Sequence, residues 1–325
     1  MKILHIEFDK YSKSCLNKLS KLGKVFNFDF KNQKELHNHL LSKEYNVIFT
    51  RLGVNINKEI IDNQPNLRYI VTPTTGLNHI DIDYCSKKNI NVISLKGEDY
   101  FLSQIKSTAE HTWALLLTLI RKIPQSAQSV NLGVWNRKSF IADELDGKNI
   151  GIIGYGRLGR IISSYAKAFG MNILINDINQ SKFKDSEFDN TDLDELLKRS
   201  DFITLHIDYS KSNKGFMDIN KFLKMKKGSY FVNTSRGECI NEKSLIKVLK
   251  SNHLKGAALD VLDGDSSWSL TSPKGNKLIE YSRSNNNLII TPHSAGYGFE
   301  SILRTRIFIT NKFLNILNNE TNNYS

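Results

Sequence analysis

The sequence of 325 residues contains only three cysteines, Cys15, Cys85 and Cys239, which lie far apart along the chain. An odd number of distant cysteines argues against a disulfide framework, and their spacing is not that of a zinc site. No apolar run approaches the roughly 18 residues that a membrane-spanning helix requires. The N-terminal segment MKILHIEFDK reads as a strand soon followed by charge. Because this is not the pattern of a signal peptide, we expect a cytoplasmic protein with no membrane partner.

A basic stripe interleaved with aromatic residues is also missing. The net charge of +12 raises nucleic-acid binding as a hypothesis. The lysines are scattered along the chain, however, so we predict no nucleic-acid partner. The positive field could still attract an anionic substrate. The sequence contains no short repeat and no low-complexity linker, and its length allows two domains with cores of their own.

Short apolar runs alternate with helix-like segments along the chain, a pattern that predicts an α/β fold with mostly parallel sheets. A long helix is predicted over 107–123, where Ser107 and Glu110 have the spacing of a capping box. A helix over 299–318 follows the last strand and is expected to return to the first domain. The predicted strands are 2–7, 24–30, 45–50, 67–72, 90–95, 148–154, 171–177, 201–207, 229–234, 256–261 and 287–291.

The segment NIGIIGYGRLGR places the pattern GxGxxG between a strand and a helix, as a dinucleotide site requires. Its glycines would allow a tight turn, close approach to a pyrophosphate, and close packing of the helix on the strand. The next strand ends at Asp177, whose carboxylate could bind the ribose hydroxyls and repel a 2′-phosphate. No arginine follows Asp177 directly, so we predict NAD rather than NADP. The predicted motif residues are Gly154, Tyr155, Gly156, Arg157, Leu158, Gly159 and Asp177.

Three polar residues, Arg236, Asp265 and His293, follow strands of the second α/β series. Open α/β sheets bind ligands at the carboxyl ends of their strands. Arg236 could hold a substrate carboxylate through two parallel hydrogen bonds, and His293 could exchange a proton with a substrate oxygen. Asp265 could orient the imidazole of His293. Taken alone, His293 could also be a core residue or a metal ligand, but it lacks a partner at metal-ligand spacing and we predict no metal.

At this point the sequence resembles the D-isomer-specific 2-hydroxyacid dehydrogenase family over nearly its whole length. The resemblance implies two Rossmann-like or flavodoxin-like domains with parallel sheets. The substrate domain would comprise residues 1–103 completed by 297–325, and the NAD domain, residues 104–296, would be inserted in it. The resemblance rests on seven segments in the family's order: TTGLNHIDID (74–83), STAEH (107–111), GVWNR (133–137), GKNIGIIGYGRLGR (147–160), NTSRG (233–237), LKGAALDV (254–261) and TPHSAG (291–296).

The resemblance further implies an NAD-dependent oxidoreductase that interconverts a D-2-hydroxy acid and its 2-keto acid, with Arg236, Asp265 and His293 as its catalytic set. Homodimers built through the NAD domain are usual in such proteins, so we expect a homodimer. The alternative is an NAD-sensing corepressor or scaffold of the same fold, against which the complete catalytic set argues. The implied substrate contacts are the backbone amides near Thr75, Gly76 and Leu77, and the implied cofactor contacts include Thr108, His206, Thr234, Ser235 and Asp260.

Two positions depart from the family pattern. The catalytic acid is most often Glu, and the matching Asp265 is one methylene shorter. To hydrogen-bond His293, Asp265 would need a slightly different backbone position or a bridging water. Asp263 lies two residues earlier and is a competing candidate. The family's H-x-P motif ends here in Asp208, which affects the loop expected beneath the adenine. His111 is expected to pack or to hydrogen-bond within its own helix.

The segment 94–111 is longer than the family's usual loop before the AEH helix. Its residues Lys96, Tyr100, Phe101 and Leu102 either shape the substrate pocket or anchor the hinge between the domains. Two aromatic residues, Trp268 and Tyr297, flank the catalytic segments, and Trp268 either caps the pocket or covers a loop. We expect no regulatory domain after the last helix. The substrate would be a small hydroxy or keto acid, and the sequence leaves open whether it is phosphorylated or otherwise anionic.

Overall fold

The computed structural model describes residues 1–7, 10–184, 186–265, 268 and 275–322. These residues form two compact units. Unit 1 contains the described residues of Met1–Ile105 and Tyr297–Ser325, together with Asp265 and Trp268. Unit 2 contains those of Lys106–Gly264 and Lys274–Gly296.

Unit 1 is built around a parallel sheet whose strands alternate with short helices. Its first elements are β1 (Lys2–His5), α1 (Lys13–Ser20), β2 (Lys24–Asn27), α2 (Gln33–Ser42), β3 (Val47–Phe49), α3 (Lys58–Asp62), β4 (Tyr69–Val71), α4 (Ile82–Lys87), β5 (Asn91–Ile93) and α5 (Asp99–Ser103). The strand order is β2-β1-β3-β4-β5. Every residue of β3 and of β4 is buried, as expected for inner strands of a parallel sheet covered on both faces.

Unit 2 contains a second parallel sheet, in the order β11-β10-β9-β8-β6-β7. The carboxyl ends of all its strands lie at one edge. Its elements are α6 (Ser107–Ile120), α7 (Ile123–Asn131), β6 (Asn149–Ile153), α8 (Arg157–Ala168), β7 (Asn172–Asn176), α9 (Leu193–Arg199), β8 (Phe202–Leu205), α10 (Ile219–Lys224), β9 (Ser229–Asn233), α11 (Glu242–Lys250), β10 (Leu254–Leu259), α12 (Lys277–Ser284) and β11 (Leu288–Ile290).

The last helix, α13 (Phe299–Asn322), belongs to unit 1. Phe313 is fully buried there and makes edge-to-face contacts with Phe49 and Tyr69, with ring centroids 5.5 Å apart in both pairs. The buried guanidinium of Arg306 donates from Nε to the carboxylate of Glu7, which is also buried, over 3.1 Å. Helix α13 therefore completes a core that begins more than two hundred residues earlier in the chain.

The eleven predicted strands are all present and parallel, so the predicted α/β fold class is confirmed. The predicted long helix over 107–123 is confirmed over Ser107–Ile120, but its predicted end is wrong, because α6 ends at Ile120 and a separate helix, α7, begins at Ile123. Between them Lys122 adopts the left-handed conformation, with φ of +52°. The predicted capping box is also wrong. Lys106 is the N-cap residue, and the Ser107 hydroxyl donates instead to the carbonyl oxygen of Ala295 over 2.7 Å.

Among the described helices, none is both long enough and apolar enough to cross a membrane.

Candidate active site

The glycine-rich loop lies between β6 and α8 at the switch point of the unit 2 sheet. From β6 the chain passes to β7 on one side and returns to β8 on the other, which opens a crevice at the strand ends. Gly154 has a φ of +100°, and a Cβ there would lie 2.5 Å from the carbonyl oxygen of His206. A Cβ on Gly159 would lie 2.1 Å from the carbonyl oxygen of Gly154. Neither position accommodates a larger residue, so this loop matches the motif's physical requirements.

The start of α8 provides an open, electropositive position. Gly156 is the N-cap, and a Cβ there would meet no atom of a described residue within 4 Å. Unpaired backbone N–H groups and the positive end of the helix dipole favour anionic groups at such a site. Arg157, the first helical residue, adds a cationic side chain. These features fit a pyrophosphate.

The side chains of two residues of the motif pack against other residues of unit 2. The side chain of Tyr155 is buried, and its ring stacks on Phe183 with centroids 5.3 Å apart. Leu158 is partly buried against the hydrophobic core. The side chains of these two residues therefore anchor the loop to the core of unit 2. Mainly their backbone groups remain accessible to a ligand.

Asp177 follows β7 and is almost fully buried. Its Oδ2 accepts hydrogen bonds from the Tyr155 amide over 2.7 Å and from Lys182 Nζ over 2.6 Å, and its Oδ1 accepts one from the Asn179 amide over 2.8 Å. Burial acts to raise the pKa of this carboxyl, but the hydrogen bonds from these donors outweigh it and lower the pKa below its ordinary value. The carboxylate is therefore ionised and held in a fixed orientation.

His206 and Thr234 follow the neighbouring strands β8 and β9. Burial, reinforced by the nearby Arg157, lowers the pKa of His206 to about 3, so the imidazole is neutral at physiological pH. Its Nε2 lies 2.8 Å from the hydroxyl of Thr204. The hydroxyl of Thr234 lies 2.7 Å from that of Thr112, which in turn donates to the carbonyl oxygen of Thr108. These contacts join α6 to the edge of the sheet where the cofactor residues are predicted.

Ser235 and Arg236 continue this loop beyond β9. The amide and hydroxyl of Ser235 both donate to Oδ1 of Asn233, over 2.9 and 2.8 Å. The side-chain amide of Asn233 donates to the carbonyl oxygen of Arg236 over 3.0 Å. The buried Asn233 thus fixes the backbone on which the half-buried Arg236 is mounted.

His293 follows β11 on a loop that bends sharply back. Its φ is +52°, a left-handed conformation that is uncommon outside glycine but is adopted more often by asparagine, aspartate and histidine than by other residues. Its backbone amide donates to the carbonyl oxygen of Asp260 over 2.8 Å. Because β9, β10 and β11 are neighbours in the sheet, Arg236, Asp260 and His293 all lie at the same edge of unit 2.

Asp260 holds the loop that carries His293. Its carboxylate is fully buried and accepts from the Thr291 hydroxyl and from the amides of Ser294 and Ala295 over 2.5 to 2.9 Å. His111 adds a contact from α6, since its Nε2 lies 3.0 Å from the Thr291 hydroxyl and 3.3 Å from Asp260 Oδ1. Of the two expectations for His111, that it packs or that it hydrogen-bonds within its own helix, the second is wrong, because its partners Thr291 and Asp260 lie outside α6. The resemblance implies a cofactor contact for Asp260. In the structure its carboxylate also fixes the loop that carries His293, a role that was not predicted from the sequence.

In unit 1, Thr75, Gly76 and Leu77 lie in the loop after β4, at the edge formed by the carboxyl ends of the strands. The Thr74 hydroxyl donates to the carbonyl oxygen of Gly76 over 2.9 Å and so closes a tight turn. The amides of residues 75–77 donate to no acceptor among the residues that the structure describes. A row of such amides can bind an anion.

Comparisons with known proteins show the family of the chain. Residues 113–295 match the family model described as D-isomer specific 2-hydroxyacid dehydrogenase, NAD binding domain. This match covers more than half of the chain. The chain belongs to this family. Membership of this family establishes the α/β fold class, the oxidoreductase class and NAD as the cofactor. The residues that match the NAD binding domain of the family belong mostly to unit 2.

Three similar proteins illustrate the family. A Staphylococcus saprophyticus protein provisionally named as a 2-hydroxyacid dehydrogenase is 34% identical over 283 residues, which are 86% of this chain and 84% of that protein. The structure of D-lactate dehydrogenase from Aquifex aeolicus with NAD and lactic acid is 27% identical, with a TM-score of 0.83 over 99% of this chain and 97% of that one. An acyclic imino acid reductase (Bsp5) in complex with NADPH and D-Arg is 30% identical, with a TM-score of 0.76 over 94% of each chain.

The predicted acid, Asp265, belongs to unit 1, whereas Arg236 and His293 belong to unit 2. The carbonyl oxygen of Asp265 accepts a hydrogen bond from the amide of Trp268 over 2.9 Å. The competing Asp263 is an exposed residue whose amide donates to the carboxylate of Glu242 over 3.0 Å. Most of the segment that follows Asp265 lies outside the described residues.

The longer segment before α6 contains the helix α5, which packs within unit 1. Phe101 stacks on Phe308 of α13, with ring centroids 4.0 Å apart, and Leu102 is buried. These contacts favour an anchoring role over pocket shaping for both residues. Tyr100, by contrast, is 84% exposed.

Arg51 is a candidate site residue that we did not identify from the sequence. It follows β3, the neighbour of β4, and therefore lies at the same sheet edge as the amides of residues 75–77. Its Nη1 donates to the carbonyl oxygen of Leu52 over 2.9 Å, and its Nη2 lies 3.3 Å from the exposed carboxylate of Asp29. The clue available in the sequence was its position directly after a predicted strand.

Proposed function

We propose that the protein interconverts a D-2-hydroxy acid and its 2-keto acid, with His293 as the acid/base and Arg236 as the carboxylate-binding residue. The observation that carries the proposal is the placement of Arg236 and His293 after β9 and β11, the two strands that flank β10, at the same edge of the NAD-binding unit. Both loops are fixed from below by buried polar residues, Asn233 and Asp260. Such support is what a catalytic group requires, because its position must be held to within a fraction of an ångström.

The chemistry needs one hydride and one proton. NADH, when bound, supplies the hydride to the carbonyl carbon. The protonated imidazole of His293 gives its N–H proton to the carbonyl oxygen, so that the hydroxy acid leaves and a neutral imidazole remains. In the reverse direction the neutral imidazole accepts the hydroxyl proton. Arg236 pairs with the carboxylate and orients the carbonyl group, and we retain Asp265 as the acid that supports the imidazole, on the family resemblance alone.

Unit 1 supports the view that the substrate is an anion. The amides of Thr75, Gly76 and Leu77 are proposed to bind the substrate carboxylate. Arg51 lies at the same edge, and its Nη2 is only weakly held by the exposed Asp29. We propose that Arg51 binds a second acidic group on the substrate, which favours keto acids with a phosphate or a further carboxylate over pyruvate or glyoxylate.

We also propose that the protein is a homodimer joined through the segment from α7 to residue 141. No residue of α7 is buried, and this segment contains six exposed large apolar side chains. Exposed apolar groups in such number mark an interaction surface in a protein of this kind. A second copy is the partner that the family resemblance implies. The six residues are Ile123, Val130, Leu132, Val134, Trp135 and Ile141.

The proposed reaction is tested by following NADH oxidation with a panel of 2-keto acids. The panel contains glyoxylate, pyruvate, hydroxypyruvate, 2-ketoglutarate and phosphohydroxypyruvate. We expect one or two acids with a second anionic group to react best. His293→Ala should lower kcat by about 10²- to 10⁴-fold, the usual contribution of a general acid/base, while NADH binding measured by fluorescence is retained.

Two controls make this result specific. His37 lies on α2 in unit 1, and its Nε2 lies 3.4 Å from the exposed carboxylate of Glu59, so His37→Ala should keep full activity. Arg51→Gln should raise KM for the acids with two anionic groups and leave pyruvate unaffected. Tight NADH binding with no turnover of any acid would refute the proposed reaction and point to the corepressor or scaffold role.

A further inference from the structure

Asp177, the residue predicted to select NAD, forms an ion pair with Lys182. Lys182 Nζ lies 2.6 Å from Oδ2 of Asp177, and the lysine is 33% exposed whereas the carboxylate is almost completely buried. A short 3-10 turn over Gln180–Phe183 brings this lysine back to the end of β7. An arginine directly after Asp177 is the feature sought in the sequence for a 2′-phosphate site, and here a lysine five positions later supplies the cation.

The hydrogen bonds of Asp177 leave it little capacity for a ribose. An ionised carboxylate offers about four acceptor positions. Three of them are used by the amides of Tyr155 and Asn179 and by Lys182. A 2′-phosphate arriving at this site would therefore meet a neutral ion pair with an accessible ammonium group, and the repulsion expected from a lone carboxylate would be largely offset.

The surroundings of this pair are also basic. Nη2 of Arg160 donates to the carbonyl oxygen of Lys182 over 2.7 Å, and its guanidinium lies 4.3 Å from the centre of the Tyr155 ring. Arg157, the first residue of α8, is a further cation of this cofactor site.

We propose that Lys182 makes this cofactor site accept NADPH as well as NADH. Its ammonium group neutralises Asp177 and has further N–H donors available for the oxygens of a 2′-phosphate. Lys182 is thus a specificity-determining residue for the coenzyme. The inference rests on the cofactor site of the proposed enzyme and is independent of which keto acid it reduces.

Binding of the two coenzymes can be measured without any substrate, through the fluorescence of the bound dihydronicotinamide. NADH and NADPH are titrated into the unaltered protein, Lys182→Met and Lys184→Met. We expect the unaltered protein to bind NADPH within about tenfold of NADH. Loss of one charge-assisted hydrogen bond in Lys182→Met should weaken NADPH relative to NADH by about tenfold or more.

Lys184→Met is the matched control, because it removes the same charge from an exposed side chain two residues away. It should leave the ratio of the two affinities unchanged. Lys182→Arg, which keeps the charge, should retain NADPH binding, and a thermal melt of each variant confirms that it is folded.

Two results would overturn the inference. One is an unaltered protein that binds NADH but rejects NADPH by more than a hundredfold. The other is an affinity ratio that is the same in Lys182→Met as in the unaltered protein. Failure of the proposed reaction gives a different pattern, because both coenzymes would then bind with the expected ratio while no keto acid is reduced.

Discussion

His206 is the residue whose ionisation should couple most clearly to folding. Burial and Arg157 lower the pKa of its imidazole from 6.5 to about 3. The folded protein therefore binds fewer protons than the unfolded chain between these values, and its stability falls as pH drops from about 6.5 toward 3. We expect the urea midpoint to decrease between pH 7 and pH 5 in the unaltered protein and to change less in His206→Gln.

The same measurement on His37→Gln serves as the control, since that imidazole lies on the surface of α2. The interval from pH 7 to pH 5 lies above the ordinary pKa of aspartate, so Asp177 contributes little to it. An equal pH dependence in His206→Gln and in the unaltered protein would contradict the assignment.

The chemistry of single residues could be predicted where it depends on the local motif. Gly154, Gly159 and Asp177 were identified from spacing, and the turn geometry at these positions is what such spacing requires. The partners of these residues were not predictable, because they come from contacts distant in the sequence or from turns without a strong signal. Lys182 meets Asp177 through a 3-10 turn, and His111 meets Asp260 across almost 150 residues.

At the scale of elements, two glycines at the start of α8 have different functions. Gly159 allows α8 to pack closely on β6, and Gly156 leaves space for the pyrophosphate. In Gly159→Ala the new Cβ would lie 2.1 Å from the Gly154 carbonyl oxygen, so the helix must move away from the strand. In Gly156→Ala the new methyl group would have no atom of a described residue within 4 Å, but it would occupy the predicted position of the pyrophosphate. We expect Gly159→Ala to lose roughly 1–3 kcal/mol of unfolding free energy by overpacking, and NADH binding with it.

Gly156→Ala should lose NADH affinity while its unfolding free energy changes by less than about 1 kcal/mol, as an N-cap exchange allows. Urea unfolding and NADH fluorescence titration of both variants check the contrast. Equal losses of stability in the two variants would contradict the proposed division of roles.

The elements themselves followed from the sequence because their signal is local. Short apolar runs marked every strand, and the buried parallel sheets explain why these strands are apolar on both faces. The break between α6 and α7 was missed for a physical reason. Lys122 occupies a left-handed position where glycine or asparagine would be the usual signal, so the helical pattern seemed to continue through it.

At the scale of the whole molecule, the exposed segment from α7 to residue 141 should determine the oligomeric state. Trp135 is 89% exposed in a single chain, and Leu132 is 72% exposed. We expect light scattering after gel filtration to give twice the chain mass of 37.1 kDa. Trp135→Asp combined with Leu132→Asp should shift the protein to monomers, because burying two unpaired carboxylates in the interface is unfavourable.

Tyr100→Asp provides the control, since Tyr100 is an equally exposed aromatic residue of unit 1. It should leave the dimer intact. A monomeric unaltered protein at micromolar concentration would contradict the dimer proposal.

The assignment of α13 to unit 1 has a consequence for the order of events during synthesis on the ribosome. Unit 2 lies between the first and the last segment of unit 1 in the chain, so it can fold while the residues of α13 are still being added. The first sheet, in contrast, lacks the contacts of Arg306 with Glu7 and of Phe313 with Phe49 until α13 has been made. We therefore expect the nascent chain to present an incomplete N-terminal sheet to chaperones until translation has passed α13, although that sheet is synthesised first.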